Sequence, residues 1–166
     1  VVIKTTASSQ TVYARSEDHA LLYPGFWRVL QLGVLKARAA GHDIYMFEGW
    51  RSEGRQNELF ASGRTSPGPI VTNCEAWQSW HQYGLAADLV FGGPGKWSWK
   101  GDYKAIGKIM QSVGLEWFGS PGTRFPELSH VQLTYGLNIA EMKQLALTSG
   151  LVSVWLRASA RVVDKL

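Results

Sequence analysis

The stretch Ser79 to Asp88, SWHQYGLAAD, sets a histidine and an aspartate seven residues apart in an otherwise apolar run interrupted by one glycine. On a single straight strand, residues seven apart point to opposite faces. His81 and Asp88 can therefore serve one site only if the chain bends between them, and Gly84 supplies the backbone freedom for that bend. Beyond the bend, Asp88 shares a strand face with Ala86 and Val90, whose modest bulk leaves it accessible. A chain carrying this stretch is committed to a turn that runs directly into a strand.

The remaining composition suits such a chain. With 166 residues, 45% hydrophobic, 12% aromatic and 18% charged, it has the profile of a globular protein, and 1–166 reads as a single domain. No apolar run approaches the ~20 residues that a membrane helix needs, so no stable membrane insertion is expected. The first twenty residues lack the basic start and apolar stretch of a signal peptide. The chain opens on Val1 rather than Met, which leaves an upstream segment and export open. Cys74 is the only cysteine, which excludes an intrachain disulfide framework and a cysteine metal cage. The net charge of +4 favours acidic partners in general. The cations are scattered, however, with the densest set (Arg157, Arg161, Lys165) at the C-terminus. Without a basic stripe, no nucleic-acid partner is expected.

Punctuation and periodicity place the elements around the opening stretch. Phe26, Val29, Leu30, Val34 and Ala37 line one face of a helix from Pro24 to Ala40, with Gly41 as its stop. Asp43 to Glu48 predicts a strand. Ser52 caps a helix to about Ser62, and Arg64 to Pro69 is a loop. Leu85 to Phe91 predicts a largely buried strand. Asp102 caps a helix that buries Ile106, Ile109, Met110 and Val113 and stops at Gly114. Ser129 to Leu133 predicts a short strand with His130 and Gln132 on one face. Asn138 with Glu141 opens a helix to about Thr148. Leu151, Val154, Trp155, Ala158 and Val162 line a last helix with cations opposite, read as a packing helix rather than an anionic-envelope contact. Interspersed strands and helices without a βαβ rhythm predict an α+β fold with a small, mostly antiparallel sheet flanked by helices.

The chain has four histidines. A catalytic zinc site takes about three protein ligands and keeps a position for water, so His81, Asp88 and one further histidine suffice. His130, in Glu127-Leu-Ser-His130, is the candidate, and Glu127 then sits beside the metal, where it can take a proton from water and deliver it to a leaving amine. Arg51, in Gly49-Trp-Arg-Ser52, adds a permanent cation able to stabilise an oxyanion. Each signal is common by chance in isolation. Ser79 can hydrogen-bond substrate, and Gln56, five residues after Arg51, can face the same cleft. His19 and His42 border loops and read as surface residues. Trp77, Trp80, Trp97, Trp99 and Trp117 cluster near the motifs, as core or as platforms for sugar or peptide.

Together these residues resemble the zinc D,D- and L,D-peptidases of bacterial cell-wall peptides, the peptidase M15 family, whose pattern is S-x-H-x-x-G-x-A-x-D followed later by [ED]-x-x-H. Ser79, His81, Gly84, Ala86 and Asp88 match the first part, and Glu127 and His130 the second. FEGWRSEGRQNELFASGR, Phe47 to Arg64, and EWFGSPGTRFPELSHVQL, Glu116 to Leu133, are similar to elements of the L-alanyl-D-glutamate endopeptidase and phage endolysin branch. The resemblance covers about residues 20–135, the motif-bearing core, and leaves the C-terminal helices at about 138–166 without a motif. It implies the zinc D-Ala-D-Ala carboxypeptidase/hedgehog-like fold. It also implies one zinc per chain bound by His81, Asp88 and His130, Glu127 as base and Arg51 as carbonyl clamp. The endopeptidase branch usually has Asp three before the last histidine and often Pro just before it, whereas this chain has Glu127 and Ser129, Glu being usual in the dipeptidase branch.

The expected function is hydrolysis of a stem-peptide amide bond of peptidoglycan, most simply between L-alanine and D-glutamate, by a monomer. It would act at the bacterial cell wall or periplasm as a wall-remodelling enzyme or as a phage endolysin made in the host cytoplasm. The alternatives are a D-alanyl-D-alanine carboxypeptidase or dipeptidase and, from another class, a non-catalytic zinc-containing wall-binding domain.

Overall fold

The structure is a computed structural model that describes residues 2–4, 11–119 and 127–163. Two short strands, β1 (Val2–Lys4) and β2 (Thr11–Tyr13), pair antiparallel ahead of the region in which the sequence carries strong signals. Helix α1 (Pro24–Ala39) follows, with Pro24 in its first turn and Gly41 leaving it at φ 86°. It buries Phe26, Leu30, Gly33 and Ala37. Gly33 belongs to that face because a Cβ there would lie 2.4 Å from the Met110 sulfur, so the glycine sets how closely α1 approaches the helix that carries Met110.

Strand β3 (Ile44–Glu48) leads to α2 (Glu53–Ala61), whose N-cap Ser52 accepts from the Arg55 amide as expected. After a long loop, a 3-10 turn (Trp80–Tyr83) gives way to β4 (Ala86–Phe91). Asp102 caps α3 (Tyr103–Ser112) through the Ala105 amide. Its buried face is Tyr103, Ile106, Gly107 and Met110, with Ile109 and Val113 only half-buried. Strands β5 (Glu116–Trp117) and β6 (His130–Gln132) complete a four-stranded, wholly antiparallel sheet in the order β3-β4-β6-β5. The α+β expectation is met; within this sheet β5 is the strand that sequence periodicity missed, and sequence periodicity also predicted no strand for β1 or β2.

Register decides what this sheet presents. Asp88 pairs directly with His130 across β4 and β6, and with Glu48 across β4 and β3. A bulge between Met46 and Glu48 resets the alternation so that Glu48 meets Asp88. Because side chains alternate, the opposite face carries Ala87, Leu89, Val131 and Trp117 into the core.

Two C-terminal helices close the described chain. Asn138 caps α4 (Ile139–Ser149) by accepting from the Ala140 and Glu141 amides, and α5 (Leu151–Val163) follows Gly150. Val154 and Ala158 of α5 are buried in the core, and the Trp155 indole N–H donates to the Tyr83 carbonyl at 2.8 Å. This is the packing helix expected from its apolar stripe, and it braces the 3-10 turn from behind. The side chain of Val162 and the whole of Lys165 lie outside the described residues, as do residues 120–126 of the approach to His130.

Candidate metal centre

His81 occupies the 3-10 turn, and the turn ends where Gly84 enters the left-handed region at φ 68°. A Cβ at Gly84 would lie 2.7 Å from the Leu21 carbonyl oxygen, so the bend demanded by the His81–Asp88 spacing is also one that only glycine fits without strain. Asp88 lies in β4 and His130 opens β6. The bend and the register bring the three together. His81 Nε2 and His130 Nδ1 are 3.1 Å apart, Asp88 Oδ2 is 3.5 Å from the first nitrogen and Oδ1 is 3.4 Å from the second. Among the described residues, these form the one group of His, Cys, Asp and Glu close enough to hold a metal ion.

The outer ring atoms show which nitrogens are available. His81 Nδ1 stands 2.6 Å from the Gly49 carbonyl, which can only accept, so this nitrogen carries the hydrogen and Nε2 is bare. His130 Nε2 donates to Gln132 Oε1 at 3.0 Å, leaving Nδ1 bare. Two imidazole lone pairs thus converge with a carboxylate, an arrangement that calls for a cation between them. Two nitrogens and one oxygen are a donor set that zinc accepts in catalytic sites. Burial opposes the Asp88 charge, but the neighbouring imidazoles hold its carboxyl well below the usual carboxylate range. Burial first, and then the Arg51 cation, lower the pKa of His81, which suits a ligand that must be neutral. Burial also disfavours charge on His130, yet its contact with Asp88 wins and raises its pKa.

Arg51 is drawn into this group rather than left free. Its Nη2 donates to Glu48 Oε2 at 2.7 Å and to Asp88 Oδ2 at 3.0 Å, its Nε donates to Glu48 Oε2 at 3.0 Å, and its Nη1 donates to Gln56 Oε1 at 3.0 Å. Expected as an oxyanion clamp, it is a buried guanidinium that lines the cleft and is hydrogen-bonded to the Asp88 carboxylate. Glu48, only 2% exposed and also bonded by Arg55, is the acid behind it, and no spacing motif pointed to it. Gln56 requires a correction. It is fully buried, does not line the cleft, and donates backward to the Cys74 carbonyl at 2.6 Å, so it holds Arg51 in place instead of facing substrate.

The three residues lie in a cleft of about 600 Å³, walled in part by Phe47, Trp99, Val71 and Leu128. Ser79 also lines the cleft and makes no cap hydrogen bond to the turn it precedes. Glu127, exposed, lines the same cleft, and its carboxylate charge contributes to raising the pKa of His130. The Trp117 indole donates to the Leu128 carbonyl at 2.9 Å and so ties the Glu127 segment to the sheet. Of the clustered tryptophans, Trp80 and Trp99 reach the cleft, whereas Trp117 is core. His19 is exposed and stacks on Trp27, and it and His42 are outside the metal group.

No protein-family model matches the chain. It is 35% identical over 113 residues to the peptidoglycan L-alanyl-D-glutamate endopeptidase CwlK of Bacillus subtilis (strain 168), an alignment that spans 60% of this chain and 67% of that protein. The L-Ala D-Glu endopeptidase ChiX of Serratia marcescens superposes with a TM-score of 0.53 at 29% identity, over 74% of this chain and 88% of that one. The vancomycin-resistance D,D-pentapeptidase VanY, solved with Zn(II), shares the fold at a TM-score of 0.54 and 17% identity, over 81% of this chain and 83% of that one. With the motif residues gathered into one His-Asp-His group, and with CwlK matched over this extent, the chain belongs to the zinc D,D- and L,D-peptidases of bacterial cell-wall peptides, peptidase family M15.

Proposed function

We propose that the chain is a zinc-dependent endopeptidase that hydrolyses the L-alanyl–D-glutamate bond in the stem peptide of peptidoglycan. The observation that carries this reading is the convergence of His81, Asp88 and His130 in a cleft shared with Glu127, in a chain related to endopeptidases of that bond. One zinc would be held by His81 Nε2, His130 Nδ1 and the Asp88 carboxylate. When bound, it supplies Lewis-acid polarisation of the scissile carbonyl and lowers the pKa of water toward ~7. Glu127 accepts the proton of the attacking water and returns it to the departing amine. Arg51 keeps Asp88 aimed, and Ser79, which lines the cleft, hydrogen-bonds the peptide through its hydroxyl. Phe47, Trp99, Val71 and Leu128 give the cleft apolar walls against which the peptide packs. Both a phage endolysin and a wall-remodelling enzyme use this chemistry at the cell wall.

Mass spectrometry of digested sacculi tests the bond. New N-terminal D-glutamate is the expected product, whereas release of free D-alanine alone would replace this reading with the carboxypeptidase one. The Glu127→Gln variant should lose about 10²- to 10⁴-fold in turnover with zinc still bound. Lysis at the parental rate would overturn Glu127 as base, whereas a parent protein that binds sacculi but releases no product would favour the non-catalytic binding domain.

A further inference from the structure

We infer that Gln132 and Glu116 form a relay that fixes the orientation and ring tautomer of His130, making them positioning residues for the metal. The inference rests on the reading of His130 as a ligand. It is motivated by a difference between the two histidines: the partner of His81 is a backbone carbonyl, which cannot turn around, whereas the partner of His130 is a side-chain amide, which can.

The two ends of a glutamine amide are nearly the same size but opposite in role. If the amide of Gln132 flipped, its NH₂ would face His130, Nε2 would have to accept, and the ring hydrogen would move to Nδ1, the atom that points at Asp88 and His81. A flip would therefore block the metal position. Glu116 prevents it. Its Oε2 accepts from Gln132 Nε2 at 3.1 Å, which only the NH₂ end can satisfy. Its Oε1 accepts from the Thr134 amide at 3.0 Å and from the Thr134 hydroxyl at 2.6 Å, so the carboxylate is itself held. Sheet register builds the arrangement, because Gln132 pairs with Glu116 across β5 and β6 and with Ala86 across β4. Gln132 is 8% exposed, and water therefore competes little for its amide. The carboxylate influences His130 through one intervening amide, and outer partners of this kind govern how firmly a histidine ligand holds its metal.

The test measures zinc affinity by chelator competition, with thermal melting of the metal-free protein as the folding check. Gln132→Met keeps the bulk and removes the acceptor. It should weaken zinc binding about 10- to 100-fold, and Glu116→Gln, which frees the amide to turn, should weaken it in the same direction. The double variant Gln132→Glu with Glu116→Gln reverses the relay while preserving every donor–acceptor match, since the new amide oxygen still serves Thr134 and its NH₂ meets the new carboxylate. This pair should recover affinity to within about threefold of the parent, where a merely structural role would predict additive damage. In nitrogen-15 spectra, the His130 Nε2–H signal should persist in the parent and the double variant and vanish in Gln132→Met. Zinc binding by Gln132→Met within about twofold of the parent, or a double variant as weak as the single ones, would overturn the relay alone. A parent protein that binds no zinc would instead overturn the metal reading and the relay with it.

Discussion

His81 and His130 reach the same point by different means. His81 rides on a turn set by local backbone conformation: Gly84 permits it, the Gly49 carbonyl orients its ring, and Trp155 braces it from α5. His130 rides on a strand set by pairing with β4 and β5, and its ring is oriented by side chains. A backbone-held histidine is robust to neighbouring substitutions but sensitive to the bend. A strand-held histidine is insensitive to any single backbone torsion but sensitive to what its neighbours on the sheet face carry.

The bluntest way to probe this comparison is to remove either end. His81→Ala and His130→Ala should both abolish stoichiometric zinc binding and hydrolysis, as measured by metal analysis and sacculus digestion; retained activity in either would mean that the other histidine and Asp88 suffice. Arg51→Met, which strips Glu48 of its nearest cation next to Asp88, should cost about 3 kcal/mol in denaturant unfolding, because a buried carboxylate loses a main partner. An effect under about 1 kcal/mol would show that Arg55 alone neutralises Glu48. Gly84→Ala strikes only the turn, through positive φ and the Leu21 carbonyl, and should cost about 2 kcal/mol together with weaker zinc binding. Gly33→Ala is its counterpart far from the metal. Met110 is flexible enough to give partly, so a loss of about 1 kcal/mol in stability with unchanged zinc affinity is expected. If both glycine variants weakened zinc equally, the bend would not be special to His81. The smallest effect belongs to Trp155→Phe, which removes one hydrogen bond to Tyr83 and should lower stability by about 0.5 kcal/mol.

What could be read in advance follows the range of the interactions involved. The helix starting at Pro24, the caps Ser52, Asp102 and Asn138, and the turn at Gly84 all depend on residues within a few positions, and all are present. β5 escaped notice because its two residues, Glu116 and Trp117, carry no periodicity of their own and become a strand by pairing with β6. Gly33 carries no signal in its own helix, because what requires it is the sulfur of Met110 on another helix. Gln56 was placed near Arg51 correctly, but the spacing of five residues did not reveal that it lies behind the guanidinium rather than in front. Glu48, Glu116 and Gln132 lie within the resembling stretches, but the motifs give them no role of their own, since their roles arise only when strands come into register.

By itself, the sequence determined the kind of chemistry: two histidines, an aspartate and a glutamate at spacings that resemble one peptidase family, with a glycine where the first pair needs a bend. Those are properties of residue type and of local backbone freedom. The tertiary structure alone decided which nitrogen of each ring is bare, that Arg51 is committed to Asp88 and Glu48, and that His130 is held through Gln132 to Glu116. The contacts responsible join residues 32, 37 and 49 positions apart, as in His81 to Gly49, Arg51 to Asp88 and His81 to His130. Hydrogen-bond direction at such separations is set by sheet register and burial, which no short stretch of chain encodes.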